Sequence, residues 1–235
     1  MKLGYACINM TLQATDGITT NRGMRQKTFN EKGLDYVSEL ALQNCRDLVT
    51  IIKWNEEFGI RQFRMSSDIF PWMAYYDFKD LPDYTRITNL LKGVGTLAAK
   101  YDHRLTFHPG HFNALGSPNP VVVEKTIKEL NQHSEIMDLI GLTISPYNKI
   151  NIHVGGAYGD KEAALQRWID NYNKLNCNTR KRLTVENDDK ANMYSVKELY
   201  EGIYKKCGVP IVFDFYHHKF CTGGLTEQEA LELAL

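Results

Sequence analysis

Asp214 and His217 stand three residues apart in "VFDFYHH" (212–218), on the heels of an apolar run that opens at Ile211. Burying even a neutral polar group without a partner costs roughly 2–7 kcal/mol, and an unpaired carboxylate more. An acid in a core strand therefore asks for compensation. Residues of the same chemistry end other apolar runs: His108 in "RLTFHP", His153 in "KINIHV" and Glu186 in "RLTVEN". Histidine with carboxylate is a mixed nitrogen and oxygen donor set. It suits Mn, Zn, Fe or Co rather than a calcium cage. Two or three such ions polarise a phosphoryl oxygen, generate a nucleophile and stabilise a leaving oxygen. Glu186 is placed to bridge two ions. A cation would balance Asp214, with His217 one turn on as ligand to a neighbouring ion.

Blander readings compete at each position. Asp214 fits an N-cap, and a lone strand-end histidine is usually hydrogen-bonded structure. The recurrence of five such residues at matching strand ends favours metal binding. His218 is expected to point away, and His103 and His133 read as surface or helix residues. Asp188 and Asp189 of "ENDD" read as a solvated loop. Trp72, Tyr75, Tyr76 and Phe112 read as exposed aromatics in loops after strand ends, where they would stack on bases, wedge a duplex or anchor the loops.

The elements that must position these groups alternate. Six β-like runs recur, at 2–8, 61–67, 104–109, 149–154, 182–187 and 210–215. Helical periodicity fills the gaps, with Leu34, Val37, Ala41, Cys45, Leu48 and Ile52 as one stripe. Similar patterns cover 119–140 and 161–175. Capping boxes at Ser195-x-x-Glu198 and Thr226-x-x-Glu229 open two later helices. Alternation of this kind predicts an α/β fold with a parallel sheet. Neither a GxGxxG nor a Walker A motif follows the first run, which weighs against a nucleotide-binding sheet. A TIM (β/α)8-type barrel brings strand C-terminal ends onto one face. It gathers Tyr5, Asn9, Ser66, Asp68, His108, His153, Glu186, Asp214 and His217 into one cluster. Only six of eight strands are found. The expectation is a single partial barrel domain, 1–235, lacking the last two βα units, with truncation of a longer parent preferred over a naturally open barrel.

Hydrophobic residues at 43% and charged residues at 24% allow a sizeable core and an ordinary surface. The formal net charge of zero weighs against an overall basic nucleic-acid binder but leaves room for a local groove. Arg22, Arg25, Lys27 and Lys161 are candidates for one. Five cysteines without a CxxC pair read as the reduced thiols of a cytoplasmic protein. No signal peptide and no membrane span are expected.

Taken in order, "LGYACINMTL", "TTNR", "FRMSSDIFP", "FHPGHF", "IHVGGAYGDK", "LTVENDD" and "VFDFYHH" resemble the UV damage endonucleases of the UvsE/UVDE type. The resemblance runs from residue 3 to about 218. It implies a TIM barrel related to endonuclease IV. It also implies a metal-dependent cut in damaged double-stranded DNA immediately 5′ to a UV photoproduct, leaving 3′-hydroxyl and 5′-phosphate. Manganese is the implied metal, with Zn, Mg or Co compatible. By motif, His108, His153, Glu186, Asp214 and His217 fall on family ligand positions, with Glu186, His108 and His153 also carried as catalytic. Tyr5 and Asn9 fall on residues that face the lesion. The family's Gln-Tyr pair after "HPG", which probes the damaged dinucleotide, is His111-Phe112 here. A lysine beside a histidine, and a final glutamate, are implied by the family and have no counterpart in this chain.

Two other readings remain open. One is a metal-dependent sugar isomerase or epimerase on the same barrel, which would need a small closed pocket. The other is a non-catalytic damage-binding fragment completed by a partner chain. Otherwise a monomer is expected.

Overall fold

A computed structural model describes residues 2–235 as two compact units. The first comprises residues up to His108 together with Gln132–Asn148. The second comprises Pro109–Asn131 and Lys149–Leu235. Both are built from βα repeats, so the α/β expectation holds.

In the first unit, strands β1 (Gly4–Ala6), β2 (Gln62–Met65) and β3 (Arg104–Phe107) alternate with helices α1 (Met10–Asp16), α2 (Gln26–Glu57) and α3 (Tyr84–Tyr101). The strands are parallel and in chain order, with Tyr5 opposite Phe63 and Phe63 opposite Leu105. Of the predicted stripe on α2, Val37, Ala41, Cys45, Leu48 and Ile52 are fully buried, while Leu34, next to the kink, is half-buried. It packs with α3, whose Ile87, Leu91, Val94 and Ala98 are buried at the same helical spacing. α2 starts earlier than its stripe and kinks at Gly33, where φ is +60°. On α3, a side chain at Gly95 would run into the Ile140 carbonyl, so only glycine lets the chains approach there.

Helix α4 (Pro120–Ile140) belongs to the second unit as far as Asn131 and to the first from Gln132 on. Next, in the second unit, come β4 (Ile150–Ile152), α5 (Lys161–Tyr172), α6 (Cys177–Arg182) and β5 (Leu183–Glu186). They are followed by α7 (Val196–Leu199), which leads through a π-helical turn into α8 (Lys205–Cys207). The remaining elements are β6 (Ile211–Val212), α9 (Phe215–His218) and α10 (Glu227–Ala234). Here too the strands are parallel, with Asn151 opposite Thr184 and Glu186 opposite Val212. Ile150, Ile152, Leu183, Val185 and the α5 residues Leu165 and Trp168 form the core. Both predicted capping boxes are present, at Ser195 and Thr226.

The strands are shorter than the β-like runs. β6 departs most, because Asp214 caps α9 and takes Phe213 to Phe215 out of the sheet. No described helix is long and apolar enough to cross a membrane.

Candidate metal centre

The second unit concentrates its polar groups at the ends of β4, β5 and β6. Alternation along β5 puts Thr184 and Glu186 on one face, away from Leu183 and Val185. Asn151 of β4 meets both: it accepts from the Thr184 hydroxyl (2.7 Å) and its amide donates to the Glu186 carboxylate. Glu186 is thus buried, 6% exposed, in a polar notch. Asp214 follows β6 and accepts from the His217 amide through Oδ1 (2.8 Å). It is the N-cap of α9, so the bland reading of Asp214 is correct, and it coexists with the sharper one. Glu186, Asp214 and His217 each offer a ligand atom, all within 4.8 Å of one another. Two carboxylates at that range repel, and a cation would reverse the sign of the interaction. The mixed oxygen and nitrogen donors suit a divalent transition ion, so the residues present fit the group expected.

His153 stands beside this set, its ring centroid 5.4 Å from that of His217. Its Nδ1 lies 3.4 Å from Oδ1 of Asp188. Asp188 corrects the sequence reading: it is not a solvated loop residue but 9% exposed, while Asp189 is open to solvent. Burial pushes the Asp188 carboxyl up to about 7, against the opposing hydrogen bond with Tyr194 and the charge of His217. Neither its identity nor its spacing signalled burial, since the loop that covers it returns only at Tyr194. Asn187, fully buried, was also missed. His218 does turn away, its Nε2 donating to the Leu225 carbonyl (3.2 Å).

A cleft of about 390 Å³ opens over this region, lined by His111, Asn113, His153, Asp188, Met193 and His217 among others. Gly155 holds φ at +94°, and a side chain there would press on Ala114 at 3.0 Å. Glycine at 155 thus permits the tight turn that follows β4. His111 and Phe112 form an exposed pair with ring centroids 4.0 Å apart, Phe112 being 80% exposed.

In the first unit, His108 follows β3 and its carbonyl accepts from the Ser67 hydroxyl (3.0 Å). Tyr5 and Asn9 come together at the end of β1. Asn9 donates to the Tyr5 hydroxyl (2.9 Å), which donates to Asn55 (2.6 Å). Burial raises the Tyr5 pKa against both hydrogen bonds. Asn9 also caps α1 through the Leu12 amide.

The basic candidates are largely engaged. Arg22 binds Asp47 (2.6 Å) and the carbonyls of Gly17 and Thr19. Lys161 binds Glu198 (2.6 Å), and Lys27 faces Glu31 at 3.8 Å. Arg25 is exposed. Two other readings are corrected. Tyr76 is buried, its hydroxyl on the Pro71 carbonyl. His103 is buried with its Nε2 3.1 Å from Glu56. His133 is a helix residue as expected, buried within α4. Trp72 is a loop anchor, donating to the Met24 carbonyl (3.0 Å).

The profile of the family described as UV-endonuclease UvdE matches residues 1–234. A putative UV-damage endonuclease of Acanthamoeba polyphaga mimivirus is 40% identical over 93% of this chain and 66% of its own length. The UV-damage endonuclease of Schizosaccharomyces pombe is 36% identical over 96% of this chain and 37% of its own. The chain thus spans less than two thirds of these relatives. The crystal structure of SacUVDE superposes with a TM-score of 0.87 at 31% identity, covering 100% of this chain and 76% of that one. A D-psicose 3-epimerase from Clostridium cellulolyticum (TM-score 0.58, 12% identity, 80% of this chain and 64% of that one) shares the fold alone. So does endonuclease IV from Thermus thermophilus (TM-score 0.51, 14% identity, 72% and 58%). These likenesses agree with the expected TIM-type α/β architecture.

Proposed function

Because the chain belongs to the UV-endonuclease UvdE family, we propose that it is a DNA repair endonuclease acting on UV-damaged duplex DNA. The reaction proposed is hydrolysis of the phosphodiester immediately 5′ to a photoproduct, leaving a 3′-hydroxyl. The observation that carries this reading is the convergence of Glu186, Asp214 and His217 within 4.8 Å at the ends of β5 and β6. Two or three divalent ions, manganese first, are proposed cofactors, with His153 and His108 completing the ligand set. When bound, such ions supply charge stabilisation for the phosphoryl oxygens and activate the attacking water. The chain's own residues hold the ligands. Asn151 orients Glu186, and the cap of α9 orients Asp214 and His217.

Tyr5 and Asn9 are proposed to face the lesion, locked by Asn55 in one orientation. The exposed His111-Phe112 pair is proposed to enter the helix at the damaged step, where an aromatic face replaces lost stacking. Arg22 is proposed to support this surface by fixing the loop from Gly17 to Thr19 rather than by neutralising phosphate. The chain is proposed to work as one barrel-type domain, a monomer. A cytoplasmic setting is supported by its free cysteines.

The test is incubation of the chain with an end-labelled UV-irradiated duplex and Mn²⁺, beside undamaged and chelator controls. The expected product is a metal-dependent nick just 5′ to the lesion. Cleavage that ignores the lesion or survives the chelator would overturn the reading, as would an intact duplex.

A further inference from the structure

Two helices of the second unit stake down the segment that carries His111 and Phe112. The Asn113 N–H donates to the Gly110 carbonyl (3.0 Å), which closes a β-turn with His111 and Phe112 at its two central positions. A second turn follows at once, closed by the Ser117 N–H on the Ala114 carbonyl (3.2 Å). Its two central carbonyls are claimed by α5: Asn171 donates to Leu115 (2.8 Å) and Arg167 to Gly116 (2.9 Å). Arg167 and Asn171 are four residues apart, on one helical face. Leu115 is fully buried, so the second turn belongs to the core. The first turn is its opposite, with both side chains exposed to solvent.

The joint between the two turns is tied to α4. Ala114 donates its N–H to the Thr126 hydroxyl (3.2 Å). Asn113 Nδ2 donates to Glu129 Oε1 (2.7 Å) and reaches back to the Gly110 carbonyl (3.3 Å). Thr126 and Glu129 are three apart in the second-unit stretch of α4 and share a face. A carbonyl has two lone pairs and a primary amide two hydrogens, so Gly110 and Asn113 can make all of these bonds together. A buried amide thus closes, from below, a turn whose two side chains stand in solvent. Burial does not hold those rings, so the backbone beneath must. Ordering one residue's backbone on binding costs about a factor of ten in affinity, and a turn already closed avoids that cost.

We infer that Asn113 and Glu129 are positioning residues: the tie from Gly110 through Asn113 to Glu129 holds the His111-Phe112 turn in one shape before it meets DNA. What the turn enters rests on the function proposed above; its rigidity does not.

Two measurements on the chelator-treated full chain test this. Glu129 is half-buried, so replacing it disturbs the fold less than Asn113→Ala would. ¹⁵N relaxation reads the turn without DNA. The His111 and Phe112 amides should have order parameters of about 0.85, and Glu129→Ala should bring them below about 0.6. Glu129→Gln loses the same charge but keeps an acceptor oxygen, and should restore the unsubstituted values. Binding to a UV-irradiated duplex reads the use of the turn. Glu129→Ala should bind about tenfold more weakly than Glu129→Gln. In a chain that also carries His111→Ala and Phe112→Ala, the two variants should bind alike, whereas a tie that served folding alone would cost the same in both backgrounds. Mobile amides at 111 and 112 in the unsubstituted chain would overturn the inference, as would a rigid turn in Glu129→Ala or a cost that persists without the two rings. Equal affinity of the unsubstituted chain for irradiated and undamaged duplex would sink the repair reading instead, and the relaxation data would still decide the tie.

Discussion

Polar side chains collect at strand ends in both units, but they settle differently. At the end of β1, Tyr5, Asn9 and Asn55 close on one another in a short chain of neutral hydrogen bonds. Nearby, Arg22 and Asp47 pair at 2.6 Å. At the ends of β5 and β6, two carboxylates and an imidazole are held within 4.8 Å by groups that fix their orientation. The first arrangement is neutral, with the Asn55 Nδ2 left without a hydrogen bond, and it suits the proposed lesion-facing surface rather than a cation. The second gathers negative charge into a buried notch, which suits a cation. The difference teaches that position at a strand end marks a functional residue only loosely. What each group has for a partner separates the proposed lesion-facing surface from the proposed metal centre.

The comparison breaks most sharply at Glu186. Glu186→Gln keeps the volume and an acceptor for Asn151 but removes the charge. Nicking should fall by about 10³-fold or more, the scale of losing one preorganised electrostatic partner. The chelator-treated variant should melt close to the unsubstituted chain. Turnover near that of the unsubstituted chain would remove Glu186 from the catalytic list.

Asn9→Ala should act on the other region. It deletes the α1 cap, which costs about 1 kcal/mol, and releases the Tyr5 hydroxyl. Equilibrium denaturation should register that loss, and binding to UV-damaged duplex should weaken about tenfold, a change of ~1.4 kcal/mol. Metal affinity should not move. If it did, the two regions would not be separable as described.

Arg22→Ala sharpens the same boundary. Because the guanidinium is engaged with Asp47 and two carbonyls, stability should fall by about 1–3 kcal/mol. The salt dependence of duplex binding should stay the same. A salt slope lowered by about 1 would mean that Arg22 meets a phosphate after all.

The smallest expected effect is on acid stability. Burial would raise the Glu198 pKa, but the Lys161 ammonium and the Ser195 cap outweigh it and hold it below its ordinary value. A lowered folded-state value gives stability that is full above the unfolded pKa of about 4.5 and is lost as pH falls through the folded value. The melting temperature should therefore drop more steeply between about pH 5 and pH 3 than in Glu198→Gln. Parallel curves for the two proteins would count against the pair.

Local pattern carried much of this architecture. The α2 stripe, both capping boxes and the centres of all six strands were legible because period and cap chemistry are local. Strand ends were overdrawn where a cap competes with the sheet, as at Asp214. What stayed illegible depends on distant partners. Asp188 looked solvated until Tyr194 folded back over it, and Tyr76 looked exposed until its hydroxyl reached Pro71. Arg22 looked available for DNA because Asp47 lies 25 residues away. Glu186, Asp214 and His217 were legible because their chemistry is unusual for strand ends. Asn187 was not, because its side-chain amide bonds the Asp214 main chain as a strand's backbone would.

The central claim is that the ends of β5 and β6 hold a divalent cation. Anomalous scattering at the manganese edge, from crystals grown with Mn²⁺, tests it most directly. The account predicts a peak in bonding contact with Glu186, Asp214 and His217. Ordered side chains there with no peak between them, or manganese found only elsewhere on the molecule, would contradict it.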